Sequence, residues 1–201
     1  MNKEDWICIL CSGRKRNKME EYFKDLNPQI KEKALKIKLL VTDVDGVLTD
    51  SGIIYDNSGM EYKRFNAKDG FIVLPLRKNG ILVGAISGRK SKVVEDRFEE
   101  LKFDFHYHGI WDKDKKLREI LEVLEISYEE VAYIGDDMID LPLLDKVGLA
   151  CCPNDTLPYI KNKADFISSF PGGHGVFREV SDMILHSKGL LVEVIERYTK
   201  K

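Results

Sequence analysis

The sequence lacks both the long apolar runs of membrane proteins and the charge excess of nucleic-acid-binding proteins. No apolar run approaches the roughly 20 residues that a membrane-spanning helix needs, and the N-terminal residues Met1–Asp5 do not match a signal peptide. The chain carries 32 Lys and Arg against 34 Asp and Glu, so its net charge at pH 7 is −2. We therefore expect a cytoplasmic protein with a small-molecule partner, and neither a membrane nor a nucleic acid.

Cysteine is scarce, with four residues in the chain. Cys151 and Cys152 are adjacent, which disfavours a disulfide between them, and a cytoplasmic chain keeps its thiols reduced. Cys8 and Cys11 have the spacing of half a zinc site, but no second pair completes the four ligands. We expect neither a disulfide nor a zinc site.

The chain is long enough for one domain with a hydrophobic core. Residues 1–36 carry nine basic and six acidic side chains, a net charge of +3, whereas the remainder carries −5. We interpret residues 1–36 as an N-terminal extension of unknown role and residues 37–201 as the domain. Within the domain, residues 52–66 form an inserted segment and residues 189–201 a C-terminal tail.

The domain alternates short β-branched runs with segments of helical periodicity, which is the pattern of β–α units. It predicts an α/β fold with a doubly wound parallel sheet. The predicted strands are Lys38–Thr42, Ile81–Ile86, Phe103–His106, Val131–Ile134, Gly148–Cys151 and Asp165–Ser168. The apolar helix faces, by their spacing, are Val94, Phe98 and Leu101; Leu117, Ile120, Leu121 and Leu124; and Val176, Val180, Met183 and Ile184.

The inserted segment carries the turn signal Asp56–Gly59 between two short strand-like runs. This pattern predicts a β-hairpin at the carboxyl edge of the sheet. The segment is too short for a cap domain over the site. In the helix after it, capped at Asp69, Pro75 would remove an interior hydrogen bond, so we expect this helix to begin nearer Ile72 or to kink.

Acidic residues follow two of the predicted strands. Asp43 and Asp45 come directly after the first strand, at the sheet edge where open α/β folds bind ligands. Two adjacent carboxylates repel unless a cation or a shared proton relieves them, and Mg²⁺ suits such oxygen ligands. Asp136 follows the strand Val131–Ile134 and is a candidate ligand, whereas Asp140 is explained equally well as a charge at a helix N-terminus.

Two further residues fit a phosphate site at the same edge. Ser87 ends a strand, where a hydroxyl and backbone amides can cradle an anion, and Lys113 opens a helix and can supply a point charge. Each signal is weak alone, because a Ser-Gly turn is usually structural and Lys113 has lysine neighbours on a polar helix face. Their order along the chain is more informative.

The order D-x-D-G-x-x-x-D, Ser, Lys and G-D-D-x-x-D resembles the haloacid dehalogenase superfamily of phosphatases. More narrowly, the chain is similar to the family of 3-deoxy-D-manno-octulosonate 8-phosphate phosphatases, from about Ile37 to about Leu190. The matching segments are LLVTDVDGVLTDSGIIYDNSGMEYKRFNAKDG, AISGRKSKVVEDR, AYIGDDMIDLPLLDKVG and GGHGVFREVSDMIL.

The resemblance implies a role for each matched residue. Asp43 falls on the nucleophile and Asp45 on the general acid and base, while Asp43, the backbone carbonyl of Asp45, and Asp136 would hold Mg²⁺. Ser87 and Lys113 fall on the phosphate-binding positions. The sugar contacts fall on Asn66, Ala67, Lys68, Asp69, Gly70, Arg89 and Arg97.

The resemblance also implies an assembly and a substrate. The family is capless and homotetrameric, with the hairpins at the centre, and the tail could then reach a neighbouring subunit's site. The expected activity is hydrolysis of 3-deoxy-D-manno-octulosonate 8-phosphate in lipopolysaccharide sugar biosynthesis. Two alternatives remain at this stage: a phosphatase for a nine-carbon 2-keto sugar acid 9-phosphate, and a non-catalytic oligomerisation module.

Overall fold

The computed structural model describes residues 23–200, which are built around a six-stranded parallel sheet. Its strands are β1 Leu39–Thr42, β4 Leu82–Ser87, β5 Phe105–His108, β6 Val131–Ile134, β7 Leu149–Cys152 and β8 Phe166–Ile167. Their spatial order is β5-β4-β1-β6-β7-β8, with every neighbouring pair parallel. The predicted sheet is confirmed, although β5 begins at Phe105 rather than Phe103 and β8 is shorter than expected.

Helices cover both faces of this sheet. They are α1 Pro28–Lys36, α2 Ala67–Lys78, α3 Lys92–Leu101, α4 Lys113–Leu124, α5 Leu141–Leu144, α6 Pro158–Lys161, α7 Val176–Ser187 and α8 Leu191–Thr199. Alternate strand residues face opposite sides, so Leu40 joins a core with α1, α2, α3, α7 and α8, and Val41 joins a core with α4, α5 and α6.

The predicted hairpin is present as a separate two-stranded sheet. It pairs β2 (Ile54–Tyr55) with β3 (Glu61–Tyr62) in antiparallel register. Its side chains Ile54 and Tyr55 are more than half exposed, at 60% and 58%. Within residues 23–200 the hairpin therefore has no core of its own, and no cap domain covers the edge of the sheet.

The start of helix α2 differs from the predicted one, whereas a kink at Pro75 stays a prediction. The side chain of Asn66 accepts a hydrogen bond from the Lys68 backbone N–H at 3.0 Å, so the helix is capped at Asn66 and not at Asp69. With this cap the helix begins at Ala67, and a start nearer Ile72 was wrong. Pro75 falls in the C-terminal half, and its carbonyl accepts the Asn79 side-chain amide at 2.7 Å.

The described part of the N-terminal segment is packed on the domain. Phe23 and Ala34 are buried in the same core as Leu40. The Lys33 ammonium lies 2.6 Å from Asp165 Oδ1 and so links α1 to the residue before β8. The division at residue 37 stays a prediction, but residues 23–36 are part of the packed structure. Cys8 and Cys11, with their expected lack of zinc, lie outside the described residues.

The C-terminal tail is packed on its own chain. Leu191 and Val194 of α8 are buried, and the rings of Tyr198 and Phe71 lie 5.1 Å apart. The expected reach of this tail toward a neighbouring subunit stays a prediction. In residues 23–200, no helix is both long and apolar enough to cross a bilayer.

Candidate active site

Asp43 lies at the carboxyl end of the central strand β1. Its backbone N–H donates to the Ile134 carbonyl at 2.8 Å, which holds Asp43 beside the end of β6. The loop after it turns through Gly46, which has a φ of +91°. A Cβ at Gly46 would lie 1.9 Å from Asp136 Oδ2, so only glycine lets the loops after β1 and β6 approach this closely.

Lys113, the first residue of α4, enters the site from the other side. Its fully buried ammonium lies 3.0 Å from Asp43 Oδ1 and 2.6 Å from Asp140 Oδ1. It also lies 3.3 Å from the Tyr133 hydroxyl. The pairing with two carboxylates raises the pKa of Lys113 despite its burial, so the side chain stays charged. The structure thus brings the predicted lysine against the predicted nucleophile.

Asp140 is the best-bonded carboxylate of the site. Its Oδ2 accepts the backbone N–H groups of Asp136 at 3.0 Å and Asp137 at 3.2 Å, and its Oδ1 accepts the Tyr133 hydroxyl at 2.6 Å. It is completely buried. Its bond to the Asp137 N–H completes a capping box at the helical turn Met138–Asp140, so the expected place at a helix N-terminus is confirmed. Asp140 also braces Lys113 and the loop after β6.

Three carboxylates form a cluster suited to a divalent cation. Asp43, Asp136 and Asp140 each place one oxygen within 4.8 Å of the others. Burial, with repulsion from neighbouring acids, raises the pKa of Asp43 to about 7 and that of Asp136 to about 8. Asp136 Oδ1 is buried and has no hydrogen-bond partner among residues 23–200. Oxygen ligands with an unpaired buried oxygen fit Mg²⁺ well.

Asp45 stands apart from that cluster. Its side chain remains partly exposed, at 21%, and its Oδ1 contacts the ammonium of Lys63 and, at 3.4 Å, the Thr49 hydroxyl. Lys63 belongs to the chain just after β3. No sequence pattern identified it as a partner of the site, because its position depends on how the hairpin folds back.

Ser87 and Arg89 occupy the turn after β4. Ser87 is buried, and its Oγ accepts the Arg89 backbone N–H at 3.2 Å. Arg89 Nη2 donates to the Tyr55 hydroxyl and to Glu61 Oε1, each at 3.1 Å. Nη1 is buried and has no partner in the described part of the chain. The guanidinium thus has an unused donor in a hairpin-lined corner beside the site.

The other predicted sugar contacts divide into two groups. Asn66, Asp69, Gly70 and Arg97 line one narrow cavity with Phe98. Arg97 Nη1 lies 2.7 Å from Glu100 Oε2, and its buried Nε has no partner among the residues described by the structure. The second group is Ala67 and Lys68, which are exposed on the first turn of α2.

Asp69 caps a different helix from the one that contains it. Its Oδ1 accepts the backbone N–H of Arg178, in the first turn of α7, at 2.7 Å. Its Oδ2 is buried, and no described residue hydrogen-bonds to it. Burial raises the pKa of Asp69 to about 6, above the ordinary 3.8, against the lowering effect of the Arg178 hydrogen bond.

This raised pKa makes the stability effect of Asp69→Asn dependent on pH. The native state binds the Asp69 proton more tightly than the unfolded state, so the wild type loses stability from this group as pH rises through 6. Asn keeps an acceptor for Arg178 and carries no charge. We expect the wild type to gain about 1.5 kcal/mol relative to the variant between pH 7 and pH 5. Urea unfolding at both pH values measures this, and an unchanged difference would contradict it.

A glycine-rich loop closes the site from the C-terminal side. A Cβ on Gly172 would lie 2.1 Å from the Gly46 carbonyl oxygen, and one on Gly173 would lie 2.7 Å from the Asp50 backbone nitrogen. The loop therefore lies directly against the loop that follows β1. It leads into α7, whose first turn Asp69 caps.

Known proteins resemble this chain in sequence. The family of haloacid dehalogenase-like hydrolases matches residues 106–180. The 3-deoxy-D-manno-octulosonate 8-phosphate phosphatase of Salmonella typhimurium is 42% identical over 168 residues, 84% of this chain and 89% of that protein. The enzyme of the same name from Yersinia pestis is 42% identical over 154 residues, 77% of this chain and 82% of that protein.

Solved structures resemble this chain in fold. The crystal structure of the Yersinia pestis enzyme has a TM-score of 0.80 at 39% identity, covering 82% of this chain and 89% of that chain. The Moraxella catarrhalis enzyme, in complex with magnesium ion, phosphate ion and KDO, has a TM-score of 0.83 at 34% identity, covering 85% of this chain and 98% of that chain. The chain therefore belongs to the family of 3-deoxy-D-manno-octulosonate 8-phosphate phosphatases, among the haloacid dehalogenase-like hydrolases.

Proposed function

We propose that this chain is a Mg²⁺-dependent phosphatase that hydrolyses 3-deoxy-D-manno-octulosonate 8-phosphate to the free sugar acid and phosphate. The observation that carries the proposal is the buried arrangement of Asp43, Asp136 and Asp140 around Lys113 at the carboxyl edge of the sheet. The activity named for the relatives supports the substrate. The reaction belongs to lipopolysaccharide sugar biosynthesis, and we place it in the cytoplasm, where the free thiols of Cys151 and Cys152 stay reduced.

The chemistry proceeds in two displacements. The Asp43 carboxylate attacks phosphorus, the bond from phosphorus to the sugar oxygen breaks, and Asp45 gives its proton to that oxygen. Asp45 then takes a proton from water, which displaces phosphate from the aspartyl-phosphate and regenerates Asp43. The partial exposure of Asp45 suits a group that exchanges protons with substrate and water in turn.

Charge neutralisation at the phosphoryl group supplies much of the rate in such reactions. The Lys113 ammonium, next to Asp43, is placed to neutralise part of that charge. Asp43 and Asp136, with the backbone carbonyl of Asp45, would hold the Mg²⁺. When bound, this ion offsets the negative charge of the phosphoryl oxygens and of the two carboxylates. Ser87 would bind phosphate through its hydroxyl.

Recognition of the sugar acid is assigned to arginines. Arg89 has an unpaired Nη1 and Arg97 an unpaired Nε, and both groups can receive a carboxylate. Replacing either with Ala is expected to raise KM for the sugar acid phosphate, by an amount that corresponds to about 1.5 to 3 kcal/mol of lost binding free energy. The rise in KM for an aryl phosphate should be far smaller. Steady-state kinetics on both substrates test this, and equal effects would assign these arginines to phosphate binding or to structure.

A substrate panel tests the proposed function. The kcat/KM values for eight-carbon and nine-carbon 2-keto sugar acid phosphates, and for simple aryl phosphates, are compared with Mg²⁺ and after chelation. The proposal expects the eight-carbon substrate to be preferred and all turnover to stop on chelation. Preference for the nine-carbon substrate would select that alternative, and absence of turnover on every substrate would select the non-catalytic module.

We further propose a homotetramer assembled through the hairpins. An isolated two-stranded ribbon is marginal in water, yet the hairpin exposes a set of large apolar side chains: Ile53, Ile54, Tyr55, Met60 and Tyr62. Burying them between copies stabilises the hairpin. Light scattering should give four times the chain mass of 23.1 kDa, and Ile54→Asp should lower it. A fully active monomer would contradict the assembly.

A further inference from the structure

Lys63 is a buried lysine on an otherwise exposed hairpin. Its side chain has no solvent exposure, whereas Tyr62 beside it is 48% exposed. Its ammonium contacts Asp45 Oδ1 and lies 3.6 Å from Glu61 Oε1. Burying an ammonium is costly unless a carboxylate compensates it, so this side chain is held where it is by Asp45 and Glu61.

The partner of Lys63 is itself fixed from the body of the domain. The Glu61 carboxylate accepts the hydroxyl of Ser91, the residue that precedes α3, and Arg89 Nη2 at 3.1 Å. Lys63 therefore stands between a carboxylate that is held by the turn after β4 and the carboxylate of Asp45. These two carboxylates therefore fix the position of the Lys63 ammonium, although the lysine side chain is itself flexible.

Among the residues that the structure describes, Asp45 has little else to orient it. It lies in the loop after β1, and its other side-chain contact is the Thr49 hydroxyl at 3.4 Å, the outer limit of a hydrogen bond. A general acid and base must lie within hydrogen-bond reach of the oxygen that it serves, in both half-reactions. A carboxylate free to rotate would meet this requirement only part of the time.

We propose that Lys63 is a positioning residue for Asp45: its buried ammonium fixes the carboxylate in the orientation that serves the leaving oxygen and the attacking water. The inference rests on the proposed function for the role of Asp45. Lys63 acts through Asp45 and not on the phosphoryl group, so its loss affects the proton-transfer steps and spares substrate binding.

The neighbouring Arg64 offers a matched control. It also joins the hairpin to the loop after β1, through Asp50 at 2.6 Å, but its side chain is 66% exposed. A screened surface pair contributes little. Lys63→Met and Arg64→Met each remove one ion pair between the hairpin segment and the loop after β1, and only the first reaches Asp45.

The test compares leaving groups. On an alkyl sugar phosphate, whose leaving oxygen needs a proton, Lys63→Met should lower kcat by about tenfold to a hundredfold with KM nearly unchanged. With an activated aryl phosphate, whose leaving group needs little acid help, the burst of aryl alcohol that reports phosphorylation of Asp43 should stay within about threefold of wild type. Arg64→Met should change neither.

A second measurement separates positioning from a structural role. In the Asp45→Asn background, adding Lys63→Met should not slow further the decay of the radiolabelled phosphorylated enzyme, since a residue that acts only through Asp45 has nothing left to position. Circular dichroism checks the fold. If Lys63→Met does not fold, Lys63→Arg must still reduce alkyl turnover more than the aryl burst.

Several results would overturn the inference. Equal losses on both substrates, a raised KM with unchanged kcat, or additive losses in the double variant would assign Lys63 to phosphate binding, to substrate contact or to the fold. If the wild type prefers another sugar phosphate, the proposed function fails. The role of Lys63 can then still be tested by comparing that alkyl phosphate with the aryl phosphate.

Discussion

Replacing Asp43 with Asn should abolish turnover while the protein stays folded. The substitution keeps the volume of the side chain and removes the carboxylate that we propose as the nucleophile, so we expect a loss of about a thousandfold or more on every monoester. The leaving group should not matter, because the missing atom is the nucleophile itself. Stability should not fall, since burial already disfavours the charged form of Asp43 and Lys113 keeps its contact with Asp140.

Phosphate release and thermal unfolding, each measured with Mg²⁺, check this result. Asp50→Asn is the matched control, because Asp50 belongs to the same loop but pairs with the exposed Arg64. Residual activity above a few per cent in the Asp43 variant would remove it from the nucleophile role. A collapse of the fold would mean that Asp43 is needed for structure as well.

Lys113→Met should lose both activity and stability. Methionine fills much of the same space, but it leaves Asp43 and Asp140 buried next to each other without the ammonium that compensates them. Removing one member of a buried ion pair costs about 3 to 5 kcal/mol in the free energy of unfolding. The loss of a phosphoryl-binding charge should lower kcat/KM by about a hundredfold or more.

A double variant separates the two effects. Lys113→Met with Asp43→Asn removes one of the uncompensated charges, so it should recover part of the lost stability while remaining inactive. Lys116→Met, at a partly exposed position of α4 where the lysine pairs with the exposed Glu119, should cost less than about 1 kcal/mol. Denaturant unfolding of the wild type, Lys113→Met, the double variant and Lys116→Met measures these differences in stability. Full stability in Lys113→Met would refute the buried ion pair as the cause.

The sequence predicts the backbone of the site better than its hydrogen bonds. Asp43 and Lys113 follow from their places at the ends of strand and helix signals, which are local. The roles of Asp140, Tyr133 and Lys63 do not, because each depends on which side chain meets it after the sheet and the hairpin have formed. The last acid of G-D-D-x-x-D was the available signal for Asp140, and the structure shows it at full burial.

The start of α2 illustrates the same limit. Asn66 and Asp69 are both good capping residues, and the sequence does not say which helix each one caps. In the fold, Asn66 caps its own helix and Asp69 caps α7, far along the chain. Helix capping between distant segments has no local pattern, whereas the apolar faces of α3, α4 and α7 repeat at helical spacing and were predicted from it.

The contact between the Gly172 loop and the Gly46 turn bears on when the enzyme becomes active during its synthesis. The nucleophile loop leaves the ribosome early, but the segment that packs against it follows on the order of a hundred residues later, about ten seconds at common elongation rates. Until then the Gly172 loop does not cover the edge of the sheet, and Asp69 has no α7 to cap. A nascent chain should therefore carry its catalytic acids without turnover, and activity should begin only once the C-terminal third has folded onto the rest.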